Sequence, residues 1–379
     1  MKKYVLLIII LINVNSAISQ EYLSKVTEFD GNFVLDNESS LIYDIRLIEY
    51  NNELFYYTRE IKRDSIGLHF YLRSRNRSYR IYCNNHDTAN INYDLVIDGT
   101  LFNNLLFSLE FNGKKVELIR TSLDKPNERK TFLLVDFFNK IKVYQENILL
   151  MCSKVAGWNG DSLSPVYINI YDNELNLSKK KFFFPKGIRF LNYNPRKIID
   201  FNSGQFLVSD ITDYRIVLYN FELNPIDSLV RKDLKFQDSD TDKSQFDSTE
   251  GYHYISKALF IDSCNIIIAR FERRKIDEFD HKIIYFFDIW SKTDGKWILK
   301  YKNLANDFLK YEDNYDPNRQ KVTNRIFVGN GKLYTIERIP FKITDEDKKL
   351  TYSEFLRKRD KRLWEDKNTM YSVFIRKFK

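Results

Sequence analysis

Leu207-Val208-Ser209-Asp210-Ile211-Thr212-Asp213-Tyr214-Arg215-Ile216-Val217-Leu218-Tyr219-Asn220 reads as one strand, a short polar turn opened by Asp210, and a second strand. That second strand closes on an aromatic residue and an Asn. A unit of this size cannot bury its apolar face alone, and the rest of the chain echoes it. Echoes spaced by about 40 to 50 residues predict a stacked or radial array of strands.

The echoes begin with the turns. Asn51-Asn52, Asn103-Asn104, Glu146-Asn147, Asn202-Ser203-Gly204, Asp262-Ser263 and Asn330-Gly331 each stand before an apolar run. Those runs align as copies of one element: Leu54-Phe55-Tyr56-Tyr57, Leu105-Leu106-Phe107, Ile148-Leu149-Leu150-Met151, Phe206-Leu207-Val208, Ile266-Ile267-Ile268 and Leu333-Tyr334-Thr335-Ile336. A further strand ending in an aromatic residue and then Asp or Asn recurs at Tyr171-Asp172, Tyr219-Asn220 and Phe287-Asp288. Turn residues lead on from it into another strand. Four strands per unit and six units predict an all-β, six-bladed β-propeller of four-stranded antiparallel blades. The spacing is about 60 residues per unit, longer than usual, so several loops are long. Seven blades follow if residues 22–45 or 120–145 hide another unit, and a β-sandwich is a third arrangement of such strands.

With those residues in view, the chain resembles a known family. Asp210, Arg215, Ile216, Tyr219 and Asn220 occupy the positions of an NHL repeat. The match is good over this unit and partial over the others, most of which lack the Asp and the Arg. The whole chain is similar to the exported six-bladed NHL-like or TolB-like propellers found in Bacteroidota. The resemblance implies six blades and a home outside the cytoplasm, and it implies no single activity.

The two ends bear on compartment and partners. Met1-Lys2-Lys3-Tyr4, the apolar run Val5 to Ile12 and the small residues Ala17-Ile18-Ser19 predict a signal peptide over 1–19. The apolar run falls short of the roughly 20 residues a membrane-spanning helix needs. Cleavage leaves residues 20–379 as a single propeller domain, exported to the periplasm or beyond, soluble, with no membrane span. Only Cys83, Cys152 and Cys264 are present. Cys152 and Cys264 lie in or beside apolar runs and read as buried small hydrophobes.

Near the other end, Thr351-Tyr352-Ser353-Glu354 has capping-box form. Tyr352, Phe355, Leu356, Leu363 and Trp364 then recur at helical spacing. This predicts one surface helix near 351–366, within an insert at about 343–368 in the last blade. Arg357, Lys358, Lys361 and Arg362 on its outer faces form a basic patch suited to an acidic partner.

The net charge of +8 comes from 60 basic residues set among 52 acidic ones. The two signs are interleaved, which speaks against nucleic acid as the partner. Gly160-Asp161-Ser162-Leu163 spells the nucleophile block of the GDSL hydrolases, but none of His69, His86, His253 and His281 stands in the Asp-x-x-His context that family uses. Asp238-Ser239-Asp240-Thr241-Asp242 opens like a calcium loop, yet Lys243 replaces the required Gly and Thr249 the required Glu. No metal and no cofactor are therefore expected. The triplets Asp64-Ser65-Ile66, Asp87-Thr88-Ala89, Asp161-Ser162-Leu163 and Asp227-Ser228-Leu229 resemble the O-glycan acceptor pattern of exported Bacteroidota proteins.

Binding residues concentrate on loops carried by a rigid scaffold. Loops joining second to third strands would gather at one propeller face and bring there Arg59, Glu60, Trp158, Asp161, Asp210, Asp213, Arg270, Glu272, Arg273, Glu337 and Arg338. The expected function is a monomeric, non-catalytic binding or scaffold propeller for a protein, peptide or glycan. The competing expectation is a propeller-fold lyase or hydrolase acting on a glycan or peptide at the channel mouth.

Overall fold

In the computed structural model, the residues described are 27–34, 40–51, 53–62, 68–74, 77–84, 94–112, 115–125, 128–133, 138, 140–152, 166–186, 198–234, 251–275, 281–305, 325–329, 332–338, 345–346, 349–351, 354, 358 and 371–378. Every element among them is a strand. The first, β1 (Thr27–Val34), is set aside by the chain until its last strand. Next come β2 (Ser40–Tyr50), β3 (Glu53–Lys62), β4 (Leu68–Arg73) and β5 (Ser78–Asn84), paired in that order as one sheet. The second sheet is β6 (Asp94–Phe102), β7 (Leu105–Asn112), β8 (Val116–Ser122) and β9 (Arg129–Leu133). The third is β10 (Lys140–Tyr144), β11 (Asn147–Cys152), β12 (Val166–Tyr171) and β13 (Leu177–Phe183). The fourth is β14 (Ile199–Asn202), β15 (Gln205–Ser209), β16 (Arg215–Tyr219) and β17 (Pro225–Val230). The fifth is β18 (Gly251–Phe260), β19 (Asn265–Lys275), β20 (His281–Thr293) and β21 (Lys296–Ala305). The last sheet takes β22 (Arg325–Gly329), β23 (Lys332–Arg338) and β24 (Tyr371–Phe378), and then β1 as its fourth strand.

All pairings are antiparallel, and the first hairpin of most sheets is tight. Tyr50 faces Glu53, Phe102 faces Leu105, Tyr144 faces Asn147 and Asn202 faces Gln205. Two residues are left to make each turn. Asn103 and Asn104 (φ 47° and 57°), Gln145 and Glu146 (46° and 63°), and Ser203 and Gly204 (47° and 80°) all adopt the left-handed region. These are the type I′ turns whose twist matches the flanking strands. The turns read in the sequence are thus the inner hairpins, and the six aligned apolar runs fall in β3, β7, β11, β15, β19 and β23.

The second strands read as unbroken apolar runs because both of their faces are covered. In β11, Ile148, Leu150 and Cys152 pack toward the second sheet with Phe107, Leu109, Leu118 and Ile141. Leu149 and Met151 point the other way, into a cluster with Ile199, Phe201, Phe206 and Val208 of the fourth sheet. The same division holds in β15, where Leu207 joins Ile255, Phe260, Ile266 and Ile268 of the fifth sheet. The core is therefore a series of seams between neighbouring sheets. First strands meet along them, β2 on β6, β6 on β10 and β14 on β18. A Leu, Ile or Phe buried in such a seam stabilises the fold by roughly 1.5–3 kcal/mol.

Three sequence expectations are corrected. The surface helix near 351–366 is not among the described elements, which are all strands. The capping-box exchange does form: Thr351 Oγ1 donates to Glu354 Oε2 at 2.7 Å, and the Glu354 N–H points back to Thr351 Oγ1 at 3.4 Å. Such an exchange organises one turn and does not by itself propagate a helix. The stripe Tyr352, Phe355, Leu356, Leu363 and Trp364, and with it Arg357, Lys361 and Arg362, lies outside the described residues, while Lys358 Nζ sits 3.6 Å from Glu346 Oε2. Cys264 is exposed in a turn beside Ser263, whereas Cys152 is buried as expected. Phe287-Asp288 does not end a strand, since β20 runs on to Thr293 and Asp288 is fully buried within it.

Candidate functional site

The stretch 207–220 supplies β15, a turn and β16. The Asp210 N–H donates to the Arg215 carbonyl and the Arg215 N–H to the Asp213 carbonyl, both at 2.9 Å. Outward, Asp210 Oδ1 accepts the Lys186 N–H at 2.9 Å, and Asp213 Oδ2 meets Lys186 Nζ at 2.6 Å. The Ile211 N–H completes the clasp by donating to the Lys186 carbonyl. Burial pushes the Asp210 carboxyl above its ordinary range, and the Lys186 amide and Arg215 charge offset that only in part. Asp210 and Asp213, both expected at the rim, thus hold the chain just beyond β13.

Behind the turn lies a buried charge cluster joining the fourth and fifth sheets. Tyr214 accepts the Trp290 indole N–H at 3.1 Å. Burial, and then the neighbouring Asp288 charge, hold its phenol well above the usual range. Arg231, just past β17, donates Nε and Nη2 to the two Asp233 oxygens at 2.9 and 3.0 Å. Its Nη1 donates to Asp288 Oδ2 at 2.9 Å. Arg270 of β19 donates Nε to that same oxygen at 3.3 Å and Nη1 to Glu272 Oε1 at 2.7 Å. Its guanidinium lies 4.6 Å from the Phe286 ring centre. Arg270 is 1% exposed and Asp288 0%.

Burial works against the Arg231 charge, but the hydrogen bonds and field of Asp233 and Asp288 outweigh it and raise its pKa. The Arg231 hydrogen bonds hold the Asp233 carboxyl down to about 2. A depressed carboxylate contributes stability that is present above its unfolded pKa, here 3.8, and is lost as pH falls through the folded value. Stability should therefore fall as pH drops from about 4 toward 2, and Asp233→Asn should flatten that part of a urea-midpoint profile. Asp233 is half exposed, so solvent screening keeps the change modest.

Other seams use carboxylates as clips. Between the first two sheets, Glu110 Oε1 accepts the Tyr57 hydroxyl at 3.0 Å and the Ser108 hydroxyl at 2.7 Å. Arg129 Nη2 reaches Glu110 Oε2 at 3.2 Å. Burial, reinforced by the Glu110 charge, raises the Tyr57 phenol well above its usual range. Asp98 of β6 accepts the Ile141 N–H of β10 at 2.9 Å. Asp200 of β14 accepts the Phe260 N–H of β18 at 2.9 Å and pairs with Lys140 of β10. β10 is thus held from the sheet before it and the sheet after it. The sequence signal for both clips is an Asp inside an apolar first strand, Ile97-Asp98-Gly99 and Ile199-Asp200-Phe201.

The remaining rim residues are placed as follows. Arg59 and Glu60 lie within β3, opposite Phe70 and His69. Arg273 lies in β19, and Glu337 and Arg338 end β23. Second strands therefore run further than the sequence indicates, and these residues stand on strand ends. Arg270 and Glu272 are buried and paired with each other, away from solvent. Trp158 and Asp161 lie outside the described residues, as do the Asp238–Asp242 run and residues 1–26. His69 and His253 are buried in different sheets. Of the four acceptor-like triplets, Asp227-Ser228-Leu229 is described and places Ser228 on exposed outer strand β17.

No family model and no curated protein matches the chain. Solved structures do resemble it. A Bacteroides fragilis protein named for its inferred export superposes with a TM-score of 0.51 at 12% identity, covering 94% of this chain and 96% of that one. The β-propeller domain of the Trilobed protease from Pyrococcus furiosus gives 0.40 at 10% identity over 82% and 79%. At such identities the likeness is one of fold. Among the described residues no helix is long and apolar enough to cross a membrane. Four-stranded antiparallel sheets following one another along the chain, packed face to face and fastened by buried carboxylates, make this a β-propeller protein.

Proposed function

We propose that residues 20–379, freed of a signal peptide at 1–19, form a single six-bladed propeller of the NHL-like type. It works outside the cytoplasm as a monomeric, non-catalytic scaffold that binds a protein, peptide or glycan. Six four-stranded sheets with β1 completing the last support the blade count. One observation carries the functional reading: the buried charges between the described sheets are engaged with one another. Arg231, Arg270, Glu272 and Asp288 neutralise each other inside a seam, as do Glu110 and Arg129. Buried charges engaged in this way stiffen a scaffold, and partner recognition falls to its surface. Arg59, Glu60, Trp158, Asp161, Arg273, Glu337 and Arg338 remain the rim candidates.

Arrays of polysaccharides and of peptides, probed with the purified protein, test this. Retention without turnover is expected, and release of new reducing ends or new amino termini overturns the reading. Expression of the full chain in a bacterium should yield a protein beginning at Gln20 in the exported fraction. A product that retains Met1 to Ser19 refutes the export step.

A further inference from the structure

We propose that the outer edge of β13 is a docking strand that takes an extended acidic segment of a partner protein. This rests on the binding reading above and names the surface and the chemistry. β13 (Leu-Ser-Lys-Lys-Lys-Phe-Phe) pairs with β12 on one side and ends its sheet on the other. Five of its seven residues, Leu177 to Lys180 and Phe182, are exposed. Leu177 and Phe182 are about half exposed, and Phe184 just beyond is 71% exposed. An edge that offers backbone hydrogen-bonding groups beside exposed apolar anchors is the substrate for strand addition.

Charge decides which strand is accepted. Lys179, Lys180 and Lys181 are consecutive, so ammonium groups emerge on both faces of the edge. They are steered by rings. Lys180 Nζ lies 4.7 Å from the Tyr167 ring centre and 4.9 Å from that of Phe182. Lys179 Nζ lies 5.5 Å from Phe221, and Lys181 Nζ 4.9 Å from Tyr219. No acidic residue lies between Leu177 and Lys186 in the sequence, so the edge itself carries only positive charge. A second copy would set lysine against lysine, which is destabilising across a strand pair. The Lys181 ammonium donates to the Leu223 carbonyl, so an acidic segment meets Lys179 on one face and Lys180 on the other. The lysines thus bar self-association and select the partner.

Three other described outer strands fit less well. β17 opens on Pro225, which has no N–H to give, and bears Asp227 in place of a cation. β21 sends Lys302 to within 3.6 Å of Asp233, and its register with β20 is broken at two places. On β9, Arg129 is engaged by Glu110.

The test uses the chain from residue 20 and a short fluorescent peptide alternating Glu with Val. The expected result is saturable binding that weakens at least about tenfold between low salt and about 0.5 M. Lys179→Glu with Lys180→Glu should weaken it by a further factor of about ten or more. N-methylation of alternate peptide amides, which keeps the charge and removes donors, should abolish it. An unfolding curve like that of the parent shows that the variant is folded. Equal binding of the methylated peptide, or of an acidic polysaccharide, overturns strand addition, and so does a complex indifferent to the lysine changes. Failure of the acidic peptide while the array retains another ligand refutes this edge alone. Turnover on the array refutes the scaffold reading itself.

Discussion

Asp288→Ala should lower the unfolding free energy by about 3–5 kcal/mol, the largest loss expected from any single charge removal here. Asp288 Oδ2 is shared by Arg231 and Arg270, at 2.9 and 3.3 Å, in a seam from which water is excluded. Deleting the carboxylate leaves two guanidiniums side by side. Each keeps one counter-charge, Asp233 for Arg231 and Glu272 for Arg270, but their mutual repulsion is no longer screened by the acid between them. Asp288→Asn retains the volume and an acceptor, and should cost about half as much. Urea denaturation followed by tryptophan fluorescence measures both, with Trp290 reporting from within the seam through its bond to Tyr214. A loss below about 1 kcal/mol for the alanine variant would mean the cluster is hydrated and not a clamp.

Asp200→Ala comes next, at about 3 kcal/mol. Asp200 is 4% exposed and serves three groups: the Phe260 N–H, the Phe201 N–H at 2.7 Å, and Lys140. Without it a buried amide of β18 loses its acceptor, and the Lys140 ammonium loses its counter-charge near the base of β10. Asp98→Ala removes a single amide acceptor from a half-buried site and should cost about 1 kcal/mol. The ordering of these two variants is the check. Equal losses would show that neither Lys140 nor the Phe201 amide contributes beyond hydration.

Local features of the fold were legible because their causes are local. A two-residue turn needing left-handed backbone favours Asn and Gly, and a strand covered on both faces is apolar throughout, so each inner hairpin announces itself in about a dozen residues. Tyr171-Asp172 and Tyr219-Asn220 were legible for the same reason. Asp172 Oδ1 accepts the Asn176 N–H and Asn220 Oδ1 the Asn224 N–H, each at 2.8 Å, while Leu175 and Leu223 turn left-handed. Phe287-Asp288 follows the same aromatic-then-acid pattern, but the partners that make it different, Arg231 and Arg270, lie outside the local stretch. Arg270 and Glu272 read as rim residues in the sequence because alternating charges on a strand look alike whether they face water or each other. The Thr351–Glu354 capping box was legible as the turns were, since both of its partners lie within four residues.

Least legible of all was the strand that completes the last sheet. β1 pairs with β24 from Thr27↔Phe378 to Val34↔Ser372, so the first strand made waits for the last. Joining segments some 350 residues apart in a flexible chain costs about 5 kcal/mol of configurational entropy, a cost that falls once the intervening sheets have stacked. The order of events follows: the intervening sheets can form one after another, while the last sheet stays incomplete until β24 and β1 meet. Until β24 joins it, β1 has no partner strand, and pairing with a neighbouring chain competes in that interval. A cell that makes this protein therefore carries an open strand from β1 until β24 pairs with it, and removing residues 27–34 should leave the β24 edge uncovered and raise self-association.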